Sequence, residues 1–346
     1  MKVGKISEVA LKRAVLKQLN HKREEVLFGG SVGEDCAAMK LEEGEVCVVS
    51  SNPVTGAGKI QGALAIYSAV NNLVTSGAKA VVVMMTLLLP ENFKESRLAE
   101  LSSQIEEVCK ALNIQVMGGH TEVTPAVNEP VFSVTAVGKA KEKELLHAKC
   151  AKADQDIVMS KWIGMEGSVA IAAAKEKELL ERFPKAMIDE IKRMLPNCCA
   201  AAEAALAVKS GVSAMHDISS GGIYGALYEL SEAAGVGLEI DLRAIPIKQE
   251  TVEICEYLGL NPYYLKSGGS MLMVCDHGQE LVRTLEKEGI HAAVIGRTTS
   301  DNAKAVINEG EVSYLERPKA DELLMFNKRK ISKGVFENER KNFNLY

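Results

Sequence analysis

The residues best suited to chemistry sit where the hydrophobic pattern breaks. Gly33-Glu34-Asp35-Cys36-Ala37-Ala38 sets two carboxylates in a glycine turn that runs into small apolar residues; acids in turns are commonly just solvated. Ser50-Ser51-Asn52-Pro53 follows a Val-rich stretch, so Asn52 falls at a strand end, where α/β sheets hold ligands, although Asn before Pro also simply starts turns. Asn71-Asn72 interrupts an apolar helical stripe. A buried amide without partners costs about 1–3 kcal/mol, so either a neighbouring backbone or a ligand must satisfy each of them. Met117-Gly118-Gly119-His120-Thr121-Glu122 places two glycines at a predicted strand end, followed by three polar side chains; glycines there let N–H groups approach an anion. His216-Asp217-Ile218-Ser219-Ser220-Gly221-Gly222 leads into a helix, with the small residues and free N–H groups of a phosphate site and equally of an ordinary N-cap. The same two readings apply to Gly164-Met165-Glu166-Gly167 and Ser267-Gly268-Gly269-Ser270.

The elements that must position these residues follow from periodicity. A helix is expected over 7–19 with Ser7 as N-cap, a strand over 45–51, and a helix over 60–75 ended by Gly77. A strand over 80–89, buried on both faces and stopped by Pro90, precedes a helix over 96–112 and strands over 114–117 and 131–137. The lysine-rich stretch 139–152 is the natural boundary. Beyond it, strands are expected over 156–160, 213–215, 237–242, 271–275, 292–295 and 305–307, and helices over 167–180, 186–194, 199–208, 222–234, 251–258 and 280–288. This alternation predicts α/β or α+β layers in both halves.

Composition narrows the classes further. A chain of 346 residues has room for two domains, and 47% hydrophobic with 25% charged residues is a balance that builds sizeable cores. The net charge of −5 supplies no general attraction to nucleic acid or anionic lipid. The longest apolar stretch, 80–89, is far short of the roughly 18 residues of a membrane span, and residues 1–19 offer no signal-peptide core, so a cytoplasmic location is expected. Eight scattered cysteines include no zinc spacing and read as small core residues. Residues 327–346 carry six Lys/Arg against two Glu, a basic surface tail.

Taken in order, these motifs resemble the superfamily of aminoimidazole ribonucleotide synthetase (PurM), thiamine monophosphate kinase, selenophosphate synthetase and the hydrogenase-maturation dehydratase HypE, most nearly its synthetase-related, HypE-like branch. The resemblance spans about 4–325 and rests on Gly4-Lys5, GEDCAA at 33–38, SSNPVTGA at 50–57, SAVNNLVTSGAKA at 68–80, GGHTEVTP at 118–125, GMEGSVAIA at 164–172, HDISSGGIYGAL at 216–227, IPIKQET at 245–251 and IGR at 295–297. It implies an ATP-binding and dimerisation domain over 1–145, whose sheet forms a barrel with a second subunit, an α/β domain over 150–325, and a tail over 326–346. It implies ATP with Mg²⁺ on Asp35, Asn52, Asn72 and Asp217. Lys5, Gly118, Gly119, Thr121, Glu122, Gly221 and Gly222 would line the nucleotide site, and His120 and Asp217 would act catalytically. The activity implied is phosphorylation of an amide or carbonyl oxygen, in a homodimer that acts on a small molecule and has room for a protein partner. Two departures stand out. Asn52 and Asn72 replace the usual aspartates, each removing a negative charge from a metal site. No cysteine follows Cys275, whereas HypE ends in the cysteine that carries its carbamoyl group, so this tail is not expected to be that carrier. The alternatives are a catalytically weakened nucleotide-binding or scaffold homologue and, less well matched at 118–125 and 216–227, a small-molecule kinase.

Overall fold

A computed structural model of the chain describes residues 3–29, 36–56 and 58–324. The first half runs β1 (Gly4–Lys5), α1 (Glu8–Leu11), β2 (Val26–Phe28), β3 (Ala38–Met39), β4 (Glu45–Thr55), α2 (Gln61–Val74), β5 (Lys79–Leu89), α3 (Glu95–Ala111), β6 (Gln115–Val123) and β7 (Val131–Lys141). Its five-stranded sheet has the order β1-β6-β5-β7-β4. The second half comprises β8 (Asp156–Ser160), α4 (Met165–Leu180), α5 (Lys185–Arg193), α6 (Ala201–Lys209), β9 (Ala214–Asp217), α7 (Gly222–Ala234), β10 (Gly237–Asp241), α8 (Gln249–Leu258), β11 (Met271–Cys275), α9 (Gly278–Lys287), β12 (Ala292–Thr299), β13 (Lys304–Asn308) and β14 (Glu311–Tyr314). Its seven strands lie in the order β14-β13-β10-β12-β8-β11-β9, with only β10 and β13 parallel. Both halves are thus mixed α/β layers, as the alternation predicts.

The helical layers of the two halves meet in one apolar core. Leu64, Val70 and Leu73 of α2 belong to the same buried cluster as Ile171 of α4, Ala204 of α6 and Met271 of β11. Burying that many side chains, at about 25 cal/mol per Å² of apolar surface, is what holds the halves against each other. A second cluster around Ile223, Leu227, Leu238 and Leu272 lies on the other face of the second sheet.

Several expected boundaries move. The first sheet has helices on one face only, so β5 is buried on both sides only over 80–83; beyond that Met84 and Thr86 point outward while Met85 and Leu87 point inward. The Val-rich strand extends to Thr55, so Asn52 and Pro53 lie inside β4, which an edge strand tolerates. The glycines at 118–119 do not end β6; it continues through them to Val123. The two-residue β1, the ribbon of β2 with β3, and β14 were not expected from the sequence. Cys109, Cys198, Cys255 and Cys275 are buried as read, whereas Cys36, Cys47 and Cys150 lie at the surface.

The β2–β3 ribbon covers one end of the first sheet's outer face, packing Val26, Ala37 and Met39 on Val82 and Met117. It is pinned by Arg23, whose guanidinium donates to Glu25 and to the Asn113 carbonyl, and by Lys139 of β7, 3.6 Å from Glu25. The Arg23 hydrogen bonds hold the Glu25 carboxyl down at about 2. A depressed carboxyl stabilises the fold above its ordinary range, and that stability is lost as pH falls toward the folded value. Glu25→Gln should therefore cost on the order of 1–3 kcal/mol at pH 7. The difference from the native chain in urea melts should shrink steadily as pH is lowered below about 4.5.

Candidate functional site

Every residue of α2 is buried except Ser68 and Asn72. Spaced four apart, they share a helix face, and with the half-buried Thr75 just past the helix end they form a polar stripe. At one end of it, Asn52 donates from Nδ2 to Ser68 Oγ at 3.1 Å. Asn52 faces the helices because β4 alternates, and even-numbered Ser50, Asn52 and Val54 turn inward. At the other end lies a cavity of about 360 Å³ lined by Asn72, Thr75, Ser76, Leu146, His147, Ala148, Met215, His216 and Asp217. The two halves therefore share one polar cavity, with α2 on one side and the end of β9 on the other.

Two atoms define its chemistry. Asn72 Oδ1 is buried and has no hydrogen-bond partner among the described residues. An unmatched acceptor of this kind costs free energy unless something in the cavity meets it. Asp217 is pushed above the ordinary carboxyl range by burial, against the opposing influence of His216, a hydrogen bond from Ser219, and Lys266. His216 Nδ1 lies 2.7 Å from the Asp217 carbonyl, which can only accept, so this nitrogen carries the proton. Asn71, by contrast, is satisfied by backbone of the second half, so adjacent asparagines answer the partner question in opposite ways.

Behind Asp217 the three glycine motifs of the second half converge. Gly164 N–H donates to Ser267 Oγ, Gly167 N–H to the Lys266 carbonyl, and Ile218 N–H to the Ser270 carbonyl. Lys266 bonds the buried Glu166 at 3.0 Å, and its pKa is raised chiefly by Glu166, with Asp321 and Asp217 adding to it. Gly221 caps the start of α7 with φ of 83° and donates its N–H to Asp321 Oδ2 at 2.9 Å. Gly222 lies so close to the Tyr263 carbonyl that a Cβ would overlap it. Sequence reasoning missed Lys266 and Asp321. Neither sits in a recognisable pattern, and only the convergence of the loops brings them to Asp217.

The remaining candidates form a separate group. His120 Nε2 is 3.1 Å from Glu122 Oε2, and Lys5 is the register partner of Glu122 across β1 and β6. These side chains sit on the sheet's outer face with Thr86, the neighbour of His120. Asn52 lies three strands away and points to the opposite face. Thr121 is buried toward the helices. Gly119 has φ of 151°, and a Cβ there would land on the Met85 carbonyl oxygen, at a bulge where Met117 is the extra residue. Gly118 precedes it on the same strand. Asp35 lies outside the described residues.

The donor set fits a hard divalent cation in part. Asn72 Oδ1 and the Asp217 carboxylate are oxygen donors on one cavity. Among the described residues no cluster of three or more His, Cys, Asp or Glu could hold a metal. Magnesium suits such a site, since it takes one or two protein oxygens and completes its shell with water and phosphate.

Fold and site together define an α/β protein of two tandem halves with a polar cavity between them. The chain belongs to the AIR synthase related protein family: the family's N-terminal domain matches residues 33–140 and its C-terminal domain residues 152–308. It is 25% identical over 316 residues to a hydrogenase expression/formation protein of Methanocaldococcus jannaschii, covering 88% of this chain and 91% of the relative. It is 27% identical over 282 residues to the carbamoyl dehydratase HypE of Azotobacter vinelandii, covering 79% and 80%. A crystal structure of the hydrogenase maturation protein HypE in complex with ATP shares the fold, with a TM-score of 0.73 at 15% identity over 91% of this chain and 95% of that one.

Gly119 separates a packing role from a ligand role. Gly119→Ala should destabilise the fold by about 2–4 kcal/mol, because the Met85 backbone cannot yield. Chemical denaturation checks this; native stability combined with altered nucleotide binding would assign the glycine to a ligand instead.

Proposed function

We propose that the protein binds ATP with Mg²⁺ in the cavity between α2 and β9 and uses it to phosphorylate an amide or carbonyl oxygen of a small molecule. The observation that carries this reading is the unpartnered Asn72 Oδ1 sharing a cavity with Asp217. Family membership and the HypE relatives support the class of reaction.

Asn72 and Asp217 would hold the magnesium, with Asn52 able to join through its contact with Ser68 and Asp35 the further candidate ligand. When bound, the metal would neutralise charge on the transferring phosphoryl group. The chain's own residues supply position. Thr75 and Ser76 stand at the cavity wall, their hydroxyls donating to the Asn72 and Leu73 carbonyls, the 146–148 segment closes it, and Lys266 holds positive charge behind Asp217. Such catalysis is mostly placement and electrostatics, which rigid elements provide.

The His120–Glu122 pair takes part through a second copy of the chain. The outer face of the first sheet exposes Val49 and Met84 beside Ser51, Thr86 and Thr135, and we assign it as the homodimer surface. Residues 1–145 then act as the nucleotide-binding and dimerising unit and 150–325 as its partner domain. A second reading, nucleotide binding without turnover, is favoured by the amides at 52 and 72, which carry no charge to offset a polyanion.

Calorimetry with Mg-ATP tests the binding; absence of heat at millimolar nucleotide overturns the proposal. Burial raises the Asp217 pKa and a bound cation favours its ionised form, so binding should tighten as pH rises through the carboxyl range. Repeating the titration at several pH values measures that dependence, and Asp217→Asn should flatten it. Restoring charge with Asn52→Asp and Asn72→Asp should raise magnesium-dependent ATP hydrolysis by about tenfold, assayed as released phosphate. Undiminished hydrolysis in the native chain excludes the second reading.

A further inference from the structure

The cavity needs α2 and β9 held in fixed register, and one side chain of α2 reaches straight into the backbone of the second half. Asn71 is 2% exposed. Its Nδ2 donates to the Cys198 carbonyl at 2.9 Å, and its Oδ1 accepts the Ala200 N–H at 2.8 Å. A helix residue of the first half thus grips the backbone of the second like a short strand.

The gripped segment is fixed from its far side as well. Lys161 Nζ donates to the carbonyls of Asn197 at 2.9 Å, Cys199 at 2.6 Å and Gly269 at 3.1 Å, and pairs with Glu203 at 2.7 Å. Gly269, at φ 94°, presses its backbone on Asn197 and Cys198 with no room for a Cβ. One residue on, the Ser270 carbonyl takes the Ile218 N–H, and Met271 pairs in register with Asp217. An unbroken path of hydrogen bonds and close packing therefore runs from Asn71, through 197–200 and 269–271, to Asp217. Its starting residue is the chain neighbour of Asn72.

We propose that Asn71 is a positioning residue, which sets the separation of Asn72 and Asp217 across the cavity by clamping the 198–200 backbone. The proposal rests on the nucleotide reading for its consequence in binding, and on geometry alone for the linkage. Asn71→Leu fills the same space and leaves the Cys198 carbonyl and Ala200 N–H without partners. Hydrogen exchange of the ligand-free chain then reads the linkage. Amides of 197–203 and of 214–218 should both exchange about tenfold faster, while those of α3 stay as in the native chain. Mg-ATP should bind about tenfold more weakly. Adding Asp217→Asn should cost less than about threefold in the Asn71→Leu background, against about tenfold in the native one, because the two donors no longer meet the same ligand. Faster exchange confined to 197–203, or an unchanged penalty for Asp217→Asn, overturns the proposal. A native chain that binds no Mg-ATP removes the nucleotide reading, and the exchange pattern at 214–218 then decides the linkage by itself. Should Asn71→Leu fail to fold, the milder Asn71→Ser carries the same comparison.

Discussion

One buried ammonium organises the second half of the molecule. Lys161 satisfies its three donors with carbonyls from two different segments and offsets its charge with Glu203, which also accepts from Ser160. A charge so placed is tolerable only while all its partners stay in place; removing one typically costs 3–5 kcal/mol. The segment 195–200 is one 3₁₀ turn followed by extended backbone at Cys199, and 266–270 has no helix or strand, so this cation and the glycines pressed around it define their paths. The position of Asp217 follows from those paths.

The first half solves a different problem. Its sheet is covered by helices on one face and left largely open on the other, and strand alternation sorts the candidate residues between the faces. Asn52 and the α2 stripe go inward, to the cavity shared with the second half. His120 and Glu122 go outward, with Lys5 across the strand pair. A single chain therefore cannot gather all of them around one ligand. The open face would have to meet another surface for the outer group to contribute.

The elements themselves were largely legible. Helices α2, α3 and α7 and strands β5 and β11 stand where periodicity puts them, because each carries a strong apolar pattern, and Gly77, Gly235 and Pro90 follow α2, α7 and β5. What periodicity misjudged were residues that look like punctuation and are not. Pro53 sits within an edge strand, and Gly118-Gly119 lie within β6 at a bulge, where the backbone of β5 comes too near for a side chain. Of the site, Asn72 could be singled out as a polar residue in an apolar stripe and Asp217 as part of a Ser/Gly-rich helix start, and they do share a cavity. The opposite fates of Asn71 and Asn72 could not be read, since a shift of one residue on a helix points the side chain at a different neighbour. Lys266 and Asp321 gave no signal, because their meaning comes only from loops distant in sequence.

The lateral borders of the first sheet have a consequence of their own. On one side β1 contributes only two residues, and on the other β4 carries Pro53, which has no N–H to offer. Among the described residues the β1 border is short and the β4 border is broken at Pro53, so sideways growth into a continuous ribbon or fibril is discouraged. Face-to-face stacking, the contact the proposed homodimer would use, is by contrast saturable and stops at a defined size.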